Sequence, residues 1–333
     1  MTAVAFSTSV PSIVPRLASL VPAGTSPAPA APLTFDELAD EYVAHYAGRD
    51  RSVAFRLVTW RRRIGSRQVL GITAREVREH LKTLQAEPAR AWRGKDADGQ
   101  PIHRVRAPRK SWSTVNRYQA ALSAVFQWAI EQERMPSDWP NPARGIRRGK
   151  ENPGVVRFLE ADERRRLLDA ARACRWKKMY GLVLFALTSG ARRGELFSLR
   201  WRDIDLEQRI ARLHVTKNGE ARTLVIVPAV AEELAGYARG KPEHLVFCST
   251  RNRLQSYRFT QAWYRVLRAS KVEKFRFHDL RHSFASALAQ EGASLVELAD
   301  AMGHKSMVMV RRYAHLSTAS RARLVNRVLG DIR

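Results

Sequence analysis

Four short segments in the second half of this chain gather the residue types that phosphate chemistry needs. They are Thr188-Ser189-Gly190-Ala191-Arg192-Arg193-Gly194-Glu195-Leu196, Thr216-Lys217-Asn218-Gly219, His278-Asp279-Leu280-Arg281-His282, and Met302-Gly303-His304 with Arg311-Arg312-Tyr313 close behind. A phosphodiester under attack gathers negative charge on its non-bridging oxygens. Arginine carries a planar fork of donors that stays charged at any working pH, so Arg192 and Arg281 together could clamp both oxygens. Preorganised donors of this kind contribute on the order of 3 kcal/mol each at a developing oxyanion. His304 would add a further donor. A tyrosine such as Tyr313 ionises near pH ~10 and is a weak nucleophile at neutrality. Nearby Arg and His cations are expected to lower that value. Attack by the phenolate would give a phosphotyrosyl link that conserves the energy of the broken bond. Lys217 could protonate the leaving oxygen, and His278 could assist proton transfer or orient the clamp. Taken singly, each residue has a plainer reading: surface arginine, structural histidine, solvated turn lysine, filler tyrosine. The ordered set carries the argument.

In this order and at these separations, the segments resemble the active-site signature of the tyrosine recombinases, or phage integrases. The resemblance aligns Arg192 with the family's first arginine, Glu195 with its supporting acid and Lys217 with its hairpin lysine. His278 and Arg281 align with its His-x-x-Arg pair, His304 with the later histidine, and Tyr313, nine residues on, with the nucleophile. It covers roughly Leu159 to Leu316. Ser189 stands where the family usually has Thr, and Arg193 is an extra arginine beside Arg192. His282 and His315 are assigned structural or supporting roles. The resemblance implies a site-specific recombinase that cuts and rejoins DNA through a 3′-phosphotyrosyl intermediate, with no cofactor, metal or ATP. It further implies a mainly α fold with a small antiparallel β-sheet, in two domains that clamp double-stranded DNA. A homotetramer on DNA is implied as well, held through exchanged C-terminal tails.

The elements that must position these residues are legible in outline. Residues 154–333 are expected to form the catalytic domain, opening with a helix over Ala161 to Ala171. An apolar run over Met179 to Thr188 reads as a buried helix. Strand-like runs Ile210 to Thr216 and Ala221 to Val227 flank Asn218-Gly219, a strong hairpin signal that would carry Lys217 at its tip. After Val230 the pattern is again helical. In His315 to Arg333, Leu316, Leu324, Val325, Val328 and Leu329 are spaced as on an amphipathic helix. That helix either packs on its own domain or, as the resemblance implies, docks on a neighbour.

Residues 33–135 read as a helical domain matching the family's core DNA-binding domain more weakly. Thr34 and Glu37 form a capping-box pattern, and Thr73 with Glu76 forms another. Four helices are expected: from Thr34, over Ser52 to Ile64, from Thr73, and over Ser113 to Glu133. Between the third and fourth, Ala89 to Lys110 holds seven Lys or Arg against two Asp, a local charge of +5. It reads as a basic loop, either a solvated insertion (or a loose hairpin) or one following a phosphate backbone through Arg93, Arg104, Arg106, Arg109 and Lys110. Residues 136–153 read as a basic linker whose Arg147 and Arg148 suit a strap across a groove. Residues 1–32 hold six of the fifteen prolines and read as a disordered tail.

Over the whole chain, 58 Lys and Arg against 32 Asp and Glu give a net charge of +26 in 333 residues. Such an excess calls for a polyanion, with DNA ahead of RNA or an anionic membrane surface. Cys174 and Cys248 form no metal-ligand spacing or disulfide framework, which suits a reducing cytoplasm. No apolar run is long enough to span a membrane, and the proline-interrupted start lacks the basic opening of a signal peptide. Two other classes share the main features: a silent relative that only binds DNA, and a type IB topoisomerase that acts alone.

Overall fold

The computed structural model describes residues 33–333, apart from 49, 51, 96–100, 153, 155, 215–220, 238–239, 305, 331 and 333, with backbone only at 92–95, 101–103, 318–321 and 324. The tail expected over 1–32 lies outside these residues, as does Lys217. The chain divides into two compact units, one ending at residue 153 and one beginning at Gly154.

The first unit holds α1 (Phe35–Ala44), α2 (Val53–Ile64), α3 (Ala74–Ala86), β1 (Ala89–Lys95), β2 (Pro101–Ala107) and α4 (Trp112–Glu131). The Thr34–Glu37 capping box starts α1, and Thr73 caps α3 through the amide of Glu76. Glu76 does not return that bond but pairs with Arg67 instead. Helical spacing aims Phe35, Leu57, Trp60, Leu81, Leu122 and Phe126 into one core. Trp60 is fully buried there, and its Nε1–H donates to the Tyr118 carbonyl at 2.9 Å, so burial leaves no polar atom unpaired.

Two expectations change in this unit. The basic stretch after α3 is an antiparallel hairpin, β1 on β2, rather than a loop. Residues 136–150, expected as a linker, fold back along α4. Gln119 donates to the carbonyls of Ala143 and Ile146, Asn116 donates to that of Gly149, and Ala143 and Ile146 enter the core. Two buried amides need acceptors, and this segment supplies them.

The second unit holds α5 (Ala161–Arg172), α6 (Met179–Ser189), α7 (Arg193–Ser198), β3 (Ile204–Asp205), β4 (Ile210–Leu213), β5 (Arg222–Val225), α8 (Pro228–Ala235), α9 (Thr260–Ser270), α10 (Asp279–Gln290), α11 (Leu295–Met302) and α12 (Thr318–Leu329). α6 is apolar nearly all round and runs through the main core, as a helix without a polar face must. Strands β3, β4 and β5 form one antiparallel sheet in that order, with Leu213 opposite Arg222. A smaller cluster joins Ala285 and Ala289 of α10, Leu298 and Met302 of α11, and Val310 and Tyr313 beyond it. Among the described residues, no helix is long and apolar enough to cross a membrane.

Candidate active site

The first arginine is placed by an elbow between helices. α6 ends at Gly190, whose φ of +60° is left-handed. A Cβ there would sit 2.3 Å from the Phe284 ring of α10, so both the turn and the close approach require glycine. The chain then extends through Arg192, which caps α7. The Arg192 amide donates to Glu195 Oε2 at 2.8 Å, and its Nη1 donates to Glu195 Oε1 at 2.8 Å. Arg192 therefore joins the cluster described below, whereas the adjacent Arg193 lies over the Phe259 ring, 5.6 Å from its centre.

The second organising feature is the carbonyl end of α11, which stops at Gly303 in the left-handed region. Three consecutive carbonyls there each accept from a different guanidinium. Arg222 Nη1 donates to Ala301 O at 3.0 Å, Arg281 Nη2 donates to Met302 O, and Arg192 Nη2 donates to Gly303 O at 3.3 Å. A helix C-terminus carries partial negative charge and unsatisfied carbonyls, so it gathers cations. Arg281, from the first turn of α10, is buried and also reaches the Gly190 carbonyl of the elbow at 2.5 Å. His304 follows Gly303 directly, and its Nε2 is buried with no hydrogen-bond partner among the described residues.

Beside this cluster stands the tyrosine. Tyr313 is 1% exposed, and its hydroxyl is hydrogen-bonded to Nδ1 of His282. The His282 ring in turn lies 5.4 Å from the His278 ring, at 85°. His278 is open to solvent and shares a cleft of about 470 Å³ with Arg192. Five of the six candidate catalytic residues thus stand around one site, with Glu195 beneath them.

Residues 157–320 match the phage integrase family. These residues form a phage integrase family domain. The shufflon-specific DNA recombinase of Escherichia coli is 33% identical over 210 residues, covering 61% of this chain and 51% of that protein. The integrase of Salmonella phage P22 is 31% identical over 191 residues, covering 53% of this chain and 48% of that one. The chain thus spans about half the length of these two curated relatives. Among solved structures, Tn1549 transposon integrase in complex with transposon right-end DNA superposes with a TM-score of 0.63 at 17% identity, over 90% of this chain and all of that one. A lambda integrase dimer bound to a COC′ core site gives 0.62 at 20%, over 86% and 97%. The fold is that of the tyrosine recombinases.

The electrostatics of this integrase-family site reflect crowded cations in a sheltered place. Burial, then repulsion from Arg192 and Arg222, pulls the Arg281 guanidinium down to about 9, still protonated at neutral pH. Burial, then the same kind of repulsion from Arg281 and Arg192, pushes His304 down to about 4. Burial, then His278, takes His282 to about 4, and burial followed by Arg281 lowers His278. For Glu195, burial raises the carboxyl, but bonds from the Arg192 amide and the Arg222 and Arg192 guanidiniums outweigh it and leave it lowered.

The expectation for Tyr313 is corrected here. Burial raises its hydroxyl above the ordinary tyrosine range, overriding the lowering by Arg312 and Arg281. Sequence counts the nearby cations but not the apolar walls. One residue escaped the sequence reading. Arg222 was unmarked, although alternation with buried Leu224 on β5 turns it inward. His282, assigned a structural or supporting role, makes the contact to the tyrosine hydroxyl.

Proposed function

We propose that this chain is a site-specific DNA recombinase that cleaves and rejoins strands through a 3′-phosphotyrosyl intermediate on Tyr313. The observation that carries the reading is the gathering of Arg192, Arg281 and His304 at the carbonyl end of α11, with Tyr313 bonded to a neutral imidazole beside them. In this scheme the scissile phosphate supplies the anion the site lacks, and its non-bridging oxygens accept from both arginines and His304. Tyr313 Oη attacks phosphorus and its proton passes to an imidazole. The P–O5′ bond breaks, and the 5′ oxygen takes a proton from Lys217. A 5′ hydroxyl then reverses these steps on the same or a partner strand. The cations are side chains, so the scheme calls for no metal, cofactor or ATP.

Double-stranded DNA is the partner in this reading, engaged in the cytoplasm. Arg104, Arg106, Arg109, Arg147 and Arg148 are exposed and available for phosphate contact. The Arg93 side chain lies outside the described set. Lys110 fits less well, because its Nζ is committed to Glu87 at 2.7 Å. Assembly into a homotetramer through the tail is supported by α12. Val325, Val328 and Leu329 are all more than half exposed on it, while Arg323 reaches back to the Gln290 carbonyl of α10.

The test is a nicked duplex that traps the covalent complex. Wild-type protein is expected to form an adduct, and Tyr313→Phe to bind DNA equally well and form none. An adduct in Tyr313→Phe would remove the nucleophile assignment. No adduct from wild type on its target would favour a silent DNA-binding relative. Efficient relaxation of supercoiled plasmid lacking a target would favour a topoisomerase.

A further inference from the structure

We propose that Arg222 is a positioning residue of this site, locking Glu195 and the loop before His304 into one geometry; the inference rests on the recombinase reading above. Its guanidinium is used at both ends. Nη2 donates to Glu195 Oε2 at 2.7 Å, and Nη1 donates to Ala301 O at 3.0 Å. Its stem lies against the Gly303 backbone so closely that a Cβ on Gly303 would be 2.8 Å from Arg222 Cδ and 3.0 Å from Nε. Only a planar fork serves both acceptors across that surface, and a lysine ammonium is a single point.

The consequence passes through Glu195. That carboxylate also receives the Arg192 amide and guanidinium, so Arg222 and Arg192 share one anchor. Arg222 holds the anchor from the sheet side, and the anchor sets the Arg192 fork. Arg222 also grips the turn whose next carbonyls receive Arg281 and Arg192. Stability alone does not ask for this arrangement. A third guanidinium here is desolvated to 13% side-chain exposure, leaves its Nε unpartnered among the described residues, and repels Arg281. Apolar residues in place of the whole charged set would cost the fold less, whereas loss of Arg222 alone leaves Glu195 and the Ala301 carbonyl short of a donor. Loss of such a placement misaligns groups that act on the phosphate, and small misplacements of that kind cost on the order of 100-fold in rate.

The experiment compares full-length wild type, Arg222→Met, Arg222→Lys and Glu195→Gln on the nicked duplex. It reads the single-turnover rate of adduct formation, the DNA Kd and the melting temperature. Arg222→Met is expected to slow adduct formation on the order of 100-fold with Kd within about threefold. Arg222→Lys should recover less than a tenth of that loss. The double variant Glu195→Gln with Arg222→Met should be little slower than either single one, because both act through one anchor. An adduct rate within threefold of wild type in a folded Arg222→Met protein overturns the proposal. So does a rate loss matched by a Kd increase and a salt slope smaller by about one, which would make Arg222 a direct phosphate contact. Should Arg222→Met not fold, Arg222→Lys decides by the same readings. An inactive wild type would instead be a failure of the recombinase reading.

Discussion

Tyr313 and His282 share a hydrogen bond between the phenol hydroxyl and Nδ1, with the tyrosine buried and the histidine half-buried. A histidine pushed down to about 4 is neutral at pH 7, so its Nδ1 can accept the phenol's hydrogen bond rather than repel it. The neighbouring His278 ring, 5.4 Å from that of His282, lines the cleft that holds Arg192. In the recombinase reading proposed above, proton removal from a tyrosine that burial has made less acidic is the obstacle this pair would address.

His282→Asn is therefore expected to slow adduct formation about 100-fold at pH 7 while leaving DNA affinity unchanged, the usual range for removing a positioned base. Single-turnover trapping on a nicked duplex measures it. A faster variant would mean that His282 restrains the tyrosine instead of activating it.

The same shifts make the protein's stability depend on pH with a definite sign. In an unfolded chain a histidine takes its proton near 6.5, whereas His282 and His304 resist it in the fold until about 4. Between those values the unfolded state binds protons that the native state refuses. Native stability is therefore full above about 6.5 and is lost as the pH falls towards 4. Each histidine contributes on the order of 2 kcal/mol to this loss, after discounting for partial exposure. A bound phosphate would reverse the preference at His304 by neutralising the surrounding guanidiniums. The melting temperature should thus fall from pH 7 to pH 5 in free protein, and target DNA should raise it more at pH 5 than at pH 7. Equal increments at the two values would contradict this account.

Glu195 is the anion on which Arg192 and Arg222 both depend. Glu195→Ala leaves two guanidiniums facing each other in a sheltered site, so a loss of about 3 kcal/mol is expected, read as a lower urea midpoint. Glu195→Gln keeps an acceptor for one of them and should lose less. If the two variants unfolded alike, the carboxylate charge would not be what holds the pair.

Much of this architecture was legible because local signals agreed with the fold. Thr34 with Glu37 marked a helix start, and the apolar run from Met179 marked a helix with no wet face. What the sequence could not reveal is convergence. Ala301, Met302 and Gly303 are ordinary residues until packing makes their carbonyls the meeting point of three arginines. Burial was equally hidden, and it reversed the expected direction for Tyr313. The hairpin from Ala89 was read as a loop because its charges dominate its period. The dipeptide Asp98-Gly99 was the available signal.

At Lys110, charge counting registers a cation and not the cation's partner. The backbone amide of Lys110 donates to the carbonyls of Gln85 and Glu87 at the base of the hairpin, and its ammonium is held by Glu87, which also receives Arg63. Arg104 and Arg106, by contrast, sit two apart on β2 and are exposed, so their side chains leave one face of the ribbon. A two-stranded ribbon of this width fits the major groove of DNA. Each phosphate contact releases counterions and steepens the fall of log K with log salt by about 0.9. Arg104→Ala and Arg106→Ala should each flatten that slope by close to this amount. Lys110→Ala should leave the slope alone and lower the melting temperature instead. Titrations of a target duplex between about 50 and 200 mM salt separate the two behaviours, and a flattened slope for Lys110→Ala would mean that the lysine leaves Glu87 when DNA binds.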